Sequence, residues 1–116
     1  MSERNPVYEL NLSDREMIIA KKGLRLINTR VRFDGENLEK FQAMVDRVLN
    51  RTPLILGEVE NVCIAVGEFI KNEKLDLDNA AEEYKPERDA MQNIIDDATK
   101  LYERLLVLSF GGSLSR

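Results

Sequence analysis

Apolar residues recur at spacings of three and four along most of this sequence, a rhythm typical of amphipathic helices. The first series follows Ser13, which forms with Glu16 the Ser-x-x-Glu spacing of a capping box, so we predict helix 1 over residues 14–31. Gly23 lies inside this helix and costs roughly 1 kcal/mol relative to alanine. The apolar face of helix 1 consists of Met17, Ala20, Leu24, Ile27 and Val31.

The same spacing, together with caps and breaks, predicts four more helical segments after a turn at Asp34-Gly35. Thr52-Pro53 suits the start of one of them, and Gly111-Gly112 suits the end of the last. Pro86 separates a short helix from the long final one, because proline disrupts the preceding turn. The four segments are residues 36–51, 53–71, 79–84 and 86–110.

The three longer of these helices share a seven-residue rhythm, which keeps an apolar seam facing neighbouring helices at a shallow crossing angle. Short connections make sequential helices antiparallel. Residues 7–12, VYELNL, are expected to be extended. We therefore predict one all-α domain over residues 1–116, an antiparallel four-helix bundle or a closely related helical bundle with a short extended N-terminal segment.

Composition argues against most catalytic chemistry. The 116 residues include no histidine and one cysteine, which removes the usual general base, paired nucleophiles and zinc sites. No glycine-rich phosphate loop occurs. Cys63 lies on the apolar face of the third helix, where we expect a buried, unreactive thiol. The sequence thus favours a non-enzymatic protein without a cofactor or a metal ion.

The expected location is the cytoplasm. No apolar run approaches the roughly 18 residues of a membrane span, and MSERNPVYELNL has no apolar stretch long enough for a signal peptide. A single cysteine cannot form an internal disulfide, so nothing indicates an oxidising compartment. No contact with a membrane is expected.

Two carboxylate pairs keep one enzymatic interpretation open, as the weakest of three. Glu36-Asn-Leu-Glu39 and Glu73-Lys-Leu-Asp76 have spacings similar to the pairs with which all-α nucleotide pyrophosphohydrolases of the MazG type bind Mg²⁺. The first pair lies in an opening turn and the second in a predicted loop, so neither is placed to converge inside a bundle. Solvated acidic faces are the favoured interpretation.

A second interpretation comes from a basic face on helix 1. No acidic residue interrupts the series of cations between Glu16 and Asp34. Cations on one side of a helix can line the phosphates of a nucleic acid. The alternative is an ordinary solvated face, or one paired with acids such as Glu58 or Glu68. The candidate nucleic-acid residues are Lys21, Lys22, Arg25 and Arg32.

The leading interpretation comes from the end of the last helix, where residues 105–110 contain one polar side chain, Ser109. A helix this apolar on all sides needs a cover, either from the N-terminal segment or from another chain. Helix 1 adds apolar residues off its main face, at Ile19, Leu26 and Phe33. We therefore predict a small interaction or regulatory protein that forms a homodimer or a hetero-complex. Its predicted partner-binding residues are Tyr102, Leu106, Val107 and Phe110.

Overall fold

The computed structural model describes residues 7–31, 33–80 and 83–114, with side chains described through Ser109. The all-α prediction is confirmed: four helices accompany one pair of two-residue strands. The elements in chain order are β1 (Val7–Tyr8), α1 (Asp14–Arg30), α2 (Gly35–Leu49), β2 (Leu54–Ile55), α3 (Leu56–Asn79) and α4 (Lys85–Leu114).

The start of α1 is the predicted capping box. The Ser13 hydroxyl accepts from the Glu16 N–H at 3.1 Å, and a Glu16 carboxylate oxygen accepts from the Ser13 N–H at 2.9 Å. Two backbone N–H groups at the start of the helix, which have no carbonyl partner within it, thereby gain hydrogen-bond acceptors. The predicted bounds of helices 1 and 2 agree with α1 and α2 to within two residues.

The third helix differs from its prediction at both ends. It starts at Leu56 rather than at residue 53, because β2 pairs antiparallel with β1, Val7 opposite Ile55 and Tyr8 opposite Leu54. It also continues to Asn79 through a stretch predicted as a loop, because lysine, glutamate and leucine favour helix as readily as a polar turn. The short helix predicted at 79–84 is therefore wrong for the residues that are described there.

The last helix is longer than predicted. It runs to Leu114, through Gly111-Gly112, because glycine permits a left-handed helix end without requiring one. At the opposite end, Arg88 joins α4 to the terminus of α3. Its guanidinium donates to the carbonyl oxygens of Leu77 and Ala80 at 2.9 and 2.8 Å, which adds a side-chain donor at the end of α3.

The core is built around α3, which packs against α1 on one side and α4 on the other, while α2 lies at the edge beside α1. Most of the buried side chains are aliphatic, and the aromatic Phe69 is the largest fully buried one. Ile19, which the sequence placed off the main face of helix 1, is also fully buried, and Leu26 packs against the core. The apolar surplus predicted for helix 1 is therefore smaller than its sequence pattern indicates.

The N-terminal segment packs beside β2 and α3 and is joined to α4 by Arg104. Arg104 of α4 donates to the Leu10 carbonyl oxygen at 3.1 Å and to Glu16 at 3.1 Å, and Tyr8, Leu10 and Leu12 pack against the core. The leading segment thus contacts α4 at Arg104, while Val107 in the next turn stays 61% exposed.

Candidate functional site

The C-terminal residues predicted to bind a partner have unequal surroundings. The Tyr102 ring lies over Gly67 of α3, where a Cβ would come within 3.1 Å of Tyr102 Cε1. Leu106 is half-buried against the core. Val107 alone is open to solvent among the described members, at 61% exposure, and the Phe110 side chain lies outside the described residues. Two of the four predicted residues thus contribute to the packing of α3 and α4.

The basic face of helix 1 is present over its first three residues. Lys21, Lys22 and Arg25 are exposed, and none of them forms an ion pair within the described residues. Arg32 falls outside those residues. Of the acids named as partners for this face, Glu58 pairs with Arg47 of α2 and Glu68 pairs with Arg30 at the end of α1.

A mainly apolar surface depression lies elsewhere, between α2 and α3. This α2–α3 groove has a volume of about 860 Å³. Its floor is formed by Ile27, Phe41 and Met44, which are partly or fully buried. Three aliphatic side chains on its margin are half exposed: Val31 at 50%, Ile55 at 42% and Ile64 at 56%.

Side-chain contacts hold α2 at the groove. The rings of Phe33 and Phe41 stack with centroids 4.5 Å apart, which ties α2 to the segment that follows α1. On the other side, Asn61 Nδ2 of α3 donates to Met44 Sδ at 3.6 Å. Side chains of α1, α2 and α3 thus line the groove.

The charges around the groove neutralise one another. Arg47 forms an ion pair with Glu58, whose carboxylate also accepts from the Ile55 N–H at 3.2 Å and so fixes the start of α3. Lys40, the other cation that lines the groove, approaches Glu36 at 3.4 Å. Since these cations are paired, the margin of the groove offers apolar area without a strong field of either sign.

The position of Ile64 in the sequence is a signal for this surface that the core-face periodicity does not include. Ile64 lies between the core positions Val62 and Val66, so it faces away from them on the same helix. An exposed isoleucine at such a position indicates a second apolar face. Val31 and Ile55 carry no comparable signal, because their exposure depends on where α2 and β1 pack.

The two carboxylate pairs considered for Mg²⁺ lie on different helices, the first on α2 and the second on α3. Glu36 forms an exposed pair with Lys40 at 3.4 Å, whereas Glu73 and Asp76 lie on α3. Burial raises the pKa of Glu73, as does the neighbouring Asp76 charge, while Lys22 opposes the shift. Across the described part of the chain, no three histidine, cysteine or acidic side chains are grouped so as to hold a metal ion.

Cys63 is buried, as predicted. Burial raises the pKa of its thiol, and the charge of Glu60 raises it further. A thiol in this environment is a poor nucleophile, because the reactive thiolate is disfavoured.

Comparison with protein-family models, curated proteins and solved structures gives no match for this chain. Within the described residues, none of the helices combines the length and the apolar character needed to cross a membrane.

Proposed function

We propose that this protein is a non-enzymatic interaction protein that binds another polypeptide through the α2–α3 groove. The observation that carries the proposal is the half exposure of Val31, Ile55 and Ile64 around a floor of buried apolar side chains. Leaving these side chains in water forgoes about 25 cal/mol per Å² of apolar area, which a partner recovers on binding.

A helix of another protein fits this surface better than a small molecule. Small-molecule sites enclose most of the ligand and offer several convergent polar groups. The groove is open to solvent, and the cations that line it, Lys40 and Arg47, already pair with acids. An apolar helix face, by contrast, needs a groove with apolar walls and few polar demands.

The C-terminal surface remains the second candidate for the same function. Val107 is exposed there, and Leu106 beside it is half-buried. We rank it below the groove, because Tyr102 packs over Gly67 and Leu106 packs against the core, which leaves Val107 as the exposed apolar side chain among its described members.

Site-specific photo-crosslinking tests the proposal. A benzophenone amino acid replaces Val31 or Ile64 at the groove, Val107 at the C-terminal surface or, as a control on the exposed side of α4, Asn93. Irradiation in the source cells is expected to give discrete protein adducts from positions 31 and 64 and none from position 93. Full incorporation is verified by intact mass, so the absence of adducts from both groove positions contradicts the proposal. Adducts from position 107 instead assign the function to the C-terminal surface.

A nucleic-acid regulator is the alternative function, and one observation favours it. Lys21, Lys22 and Arg25 are neighbouring cations outside any ion pair of the described residues, whereas Arg30 and Arg47 pair with acids. Unpaired cations on one helix face are available to phosphates, and the resulting affinity falls steeply with salt.

A further inference from the structure

The central helix α3 carries apolar side chains on two opposite faces. One face belongs to the core and is almost fully buried; it includes Val59, Val62, Val66 and Phe69. At about 100° per residue, a second series with spacings of three and four lies on the opposite side of the helix. This outer stripe consists of Asn61, Ile64, Glu68, Lys71, Leu75 and Asp78.

The outer stripe has no cover from α1 or α4 at its apolar positions. Ile64 and Leu75 are 56% and 59% exposed, and both lie on the same stripe. Ile64 also borders the α2–α3 groove, so the stripe continues the surface assigned to partner binding.

We propose that a second copy of this chain covers the outer stripe, with the two α3 helices antiparallel about a twofold axis midway between Glu68 and Lys71. The inference rests on the proposed function, since the stripe meets the α2–α3 groove at Ile64. Its basis is that the stripe is complementary to itself in this one arrangement.

The arrangement sets an aliphatic side chain opposite an aliphatic side chain and an acid opposite a base in successive layers. Ile64 faces Leu75 of the second copy, which joins the two exposed aliphatic side chains. Glu68 faces Lys71 of the second copy, and the twofold axis repeats both pairs. Outside them, the Asn61 amide faces the carboxylate of Asp78. An isologous interface requires such reciprocal matching.

Other arrangements of the same two helices place like charges opposite each other or a charge opposite an aliphatic side chain. Parallel α3 helices place Glu68 against Glu68 and Lys71 against Lys71. An antiparallel shift of seven residues in one direction sets Ile64 opposite Glu68, and a shift in the other direction sets Lys71 opposite Leu75. Charges opposite aliphatic or like-charged groups suppress these alternatives, so the charged pair selects the register.

Neighbouring charges strengthen the central pair. Arg30 of α1 contacts Glu68 at 2.7 Å, and Lys71 of the same chain approaches Glu68 at 4.0 Å. In the dimer, Lys71 of the second copy joins this group, so each carboxylate faces cations from both chains. Pairs at such a margin set orientation more than affinity.

Disulfide trapping tests the register directly. In a Cys63→Ala background, the variant with both Ile64→Cys and Leu75→Cys is expected to form a covalent dimer in oxidised glutathione. Within one helix the two positions are about 16 Å apart, too far for an internal disulfide. Each single variant is expected to stay monomeric on a non-reducing gel, since 64 does not face 64. A control with Ile64→Cys and Val107→Cys measures random collision. Failure of the double variant to exceed that control overturns the register.

Sedimentation equilibrium tests the interface. The wild-type chain is expected to dimerise, and Ile64→Asp or Leu75→Asp to weaken the dimer at least about 10-fold, because the substitution desolvates a carboxylate against an aliphatic side chain. Both positions are exposed, so circular dichroism is expected to show an intact fold. Val107→Asp is the matched control and is expected to leave the dimer unchanged. A dimer that Val107→Asp dissociates while Ile64→Asp does not contradicts the proposal.

The two proposals fail separately. A monomeric wild-type chain whose position 64 still crosslinks to a different protein rules out the second copy and leaves the proposed function standing. A monomeric chain with no adduct from either groove position rules out both.

Discussion

Gly23 of α1 lies against the backbone of Ala65 in α3, so closely that a Cβ on Gly23 would stand 2.2 Å from the Ala65 carbonyl oxygen. The φ angle of Gly23 is not positive, so its backbone conformation does not require glycine. Glycine is needed here because the two helices approach each other closely. The helix propensity that Gly23 costs is offset by the close packing of α1 on α3, which buries Ile19, Leu24 and Val62.

Gly23→Ala is expected to destabilise the fold by at least about 2 kcal/mol, because backbone atoms cannot move aside as the end of a flexible side chain can. Urea unfolding measures the change. The control is Gly57→Ala, at a glycine of α3 with no atom within 4 Å of the added Cβ. That variant is expected to be neutral or more stable by up to about 1 kcal/mol. Equal stabilities of the two variants would show that α1 and α3 do not approach as described.

Glu16 is expected to make stability depend on pH in the acid range. Burial raises its pKa, but hydrogen bonds from the Ser13 N–H and Arg104 outweigh this and bring the pKa below the ordinary 4.5. The ionised carboxylate therefore stabilises the fold above pH 4.5, and this contribution is lost as the pH falls through the folded-state value.

Glu16→Gln separates the charge from the cap, because glutamine still accepts the Ser13 N–H. We expect the variant to be about 1 kcal/mol less stable than wild type at neutral pH, with a smaller deficit near pH 3. Chemical unfolding at both pH values provides the measurement. Glu36→Gln, in an exposed pair with Lys40, is the control and is expected to differ little at either pH. A constant deficit for Glu16→Gln would assign its effect to packing instead of charge.

The Cys63 thiol is expected to react slowly in the folded protein. Burial and the neighbouring Glu60 charge raise its pKa, so both access and thiolate are limited. Alkylation by iodoacetamide at a fixed pH should be at least about 10-fold slower in the folded chain than in urea. A Cys63→Ala, Val107→Cys variant supplies an exposed thiol for comparison. Equal rates for the two folded proteins would mean that Cys63 is accessible.

The basic face of α1 distinguishes the two functions. If nucleic acid is the ligand, Lys21→Glu with Arg25→Glu should abolish retention of the protein on heparin and on duplex DNA. Lys74→Glu with Lys100→Glu changes the net charge equally at two other exposed positions and should have less effect. With three phosphate contacts, the logarithm of the binding constant should fall with that of the salt concentration with a slope of about −3. A wild-type chain that heparin does not retain at low salt would exclude this function.

Local signals determined the fold class and most of the helices. The capping box at Ser13 and Glu16 and the three-and-four spacing of apolar residues act within one or two turns, so they can be recognised without knowledge of the tertiary structure. The burial of Cys63 followed from the same periodicity.

Two of the wrong predictions concern the ends of helices. A long-range contact decided the start of the third helix, and the last helix continues past the glycines that were expected to end it. Leu54 and Ile55 leave the predicted third helix because the strand at Val7–Tyr8 pairs with them from the other end of the domain. At the last helix, Gly111-Gly112 permitted a helix end that the chain does not use there. Neither outcome depends on a signal within the segment itself.

The candidate site divides in the same way. By itself, the sequence determined an all-α chain with a surplus of apolar helix surface, because periodicity states how much of each helix is apolar. Only the tertiary structure decided where that surplus lies, because each neighbour covers one side of a helix and leaves another open. Arg104 joins the N-terminal segment to the C-terminal helix, while Ile64 and Leu75 stay exposed on the outer side of α3. The physical reason is that burial belongs to pairs of surfaces, and a pattern along one chain describes a single member of each pair.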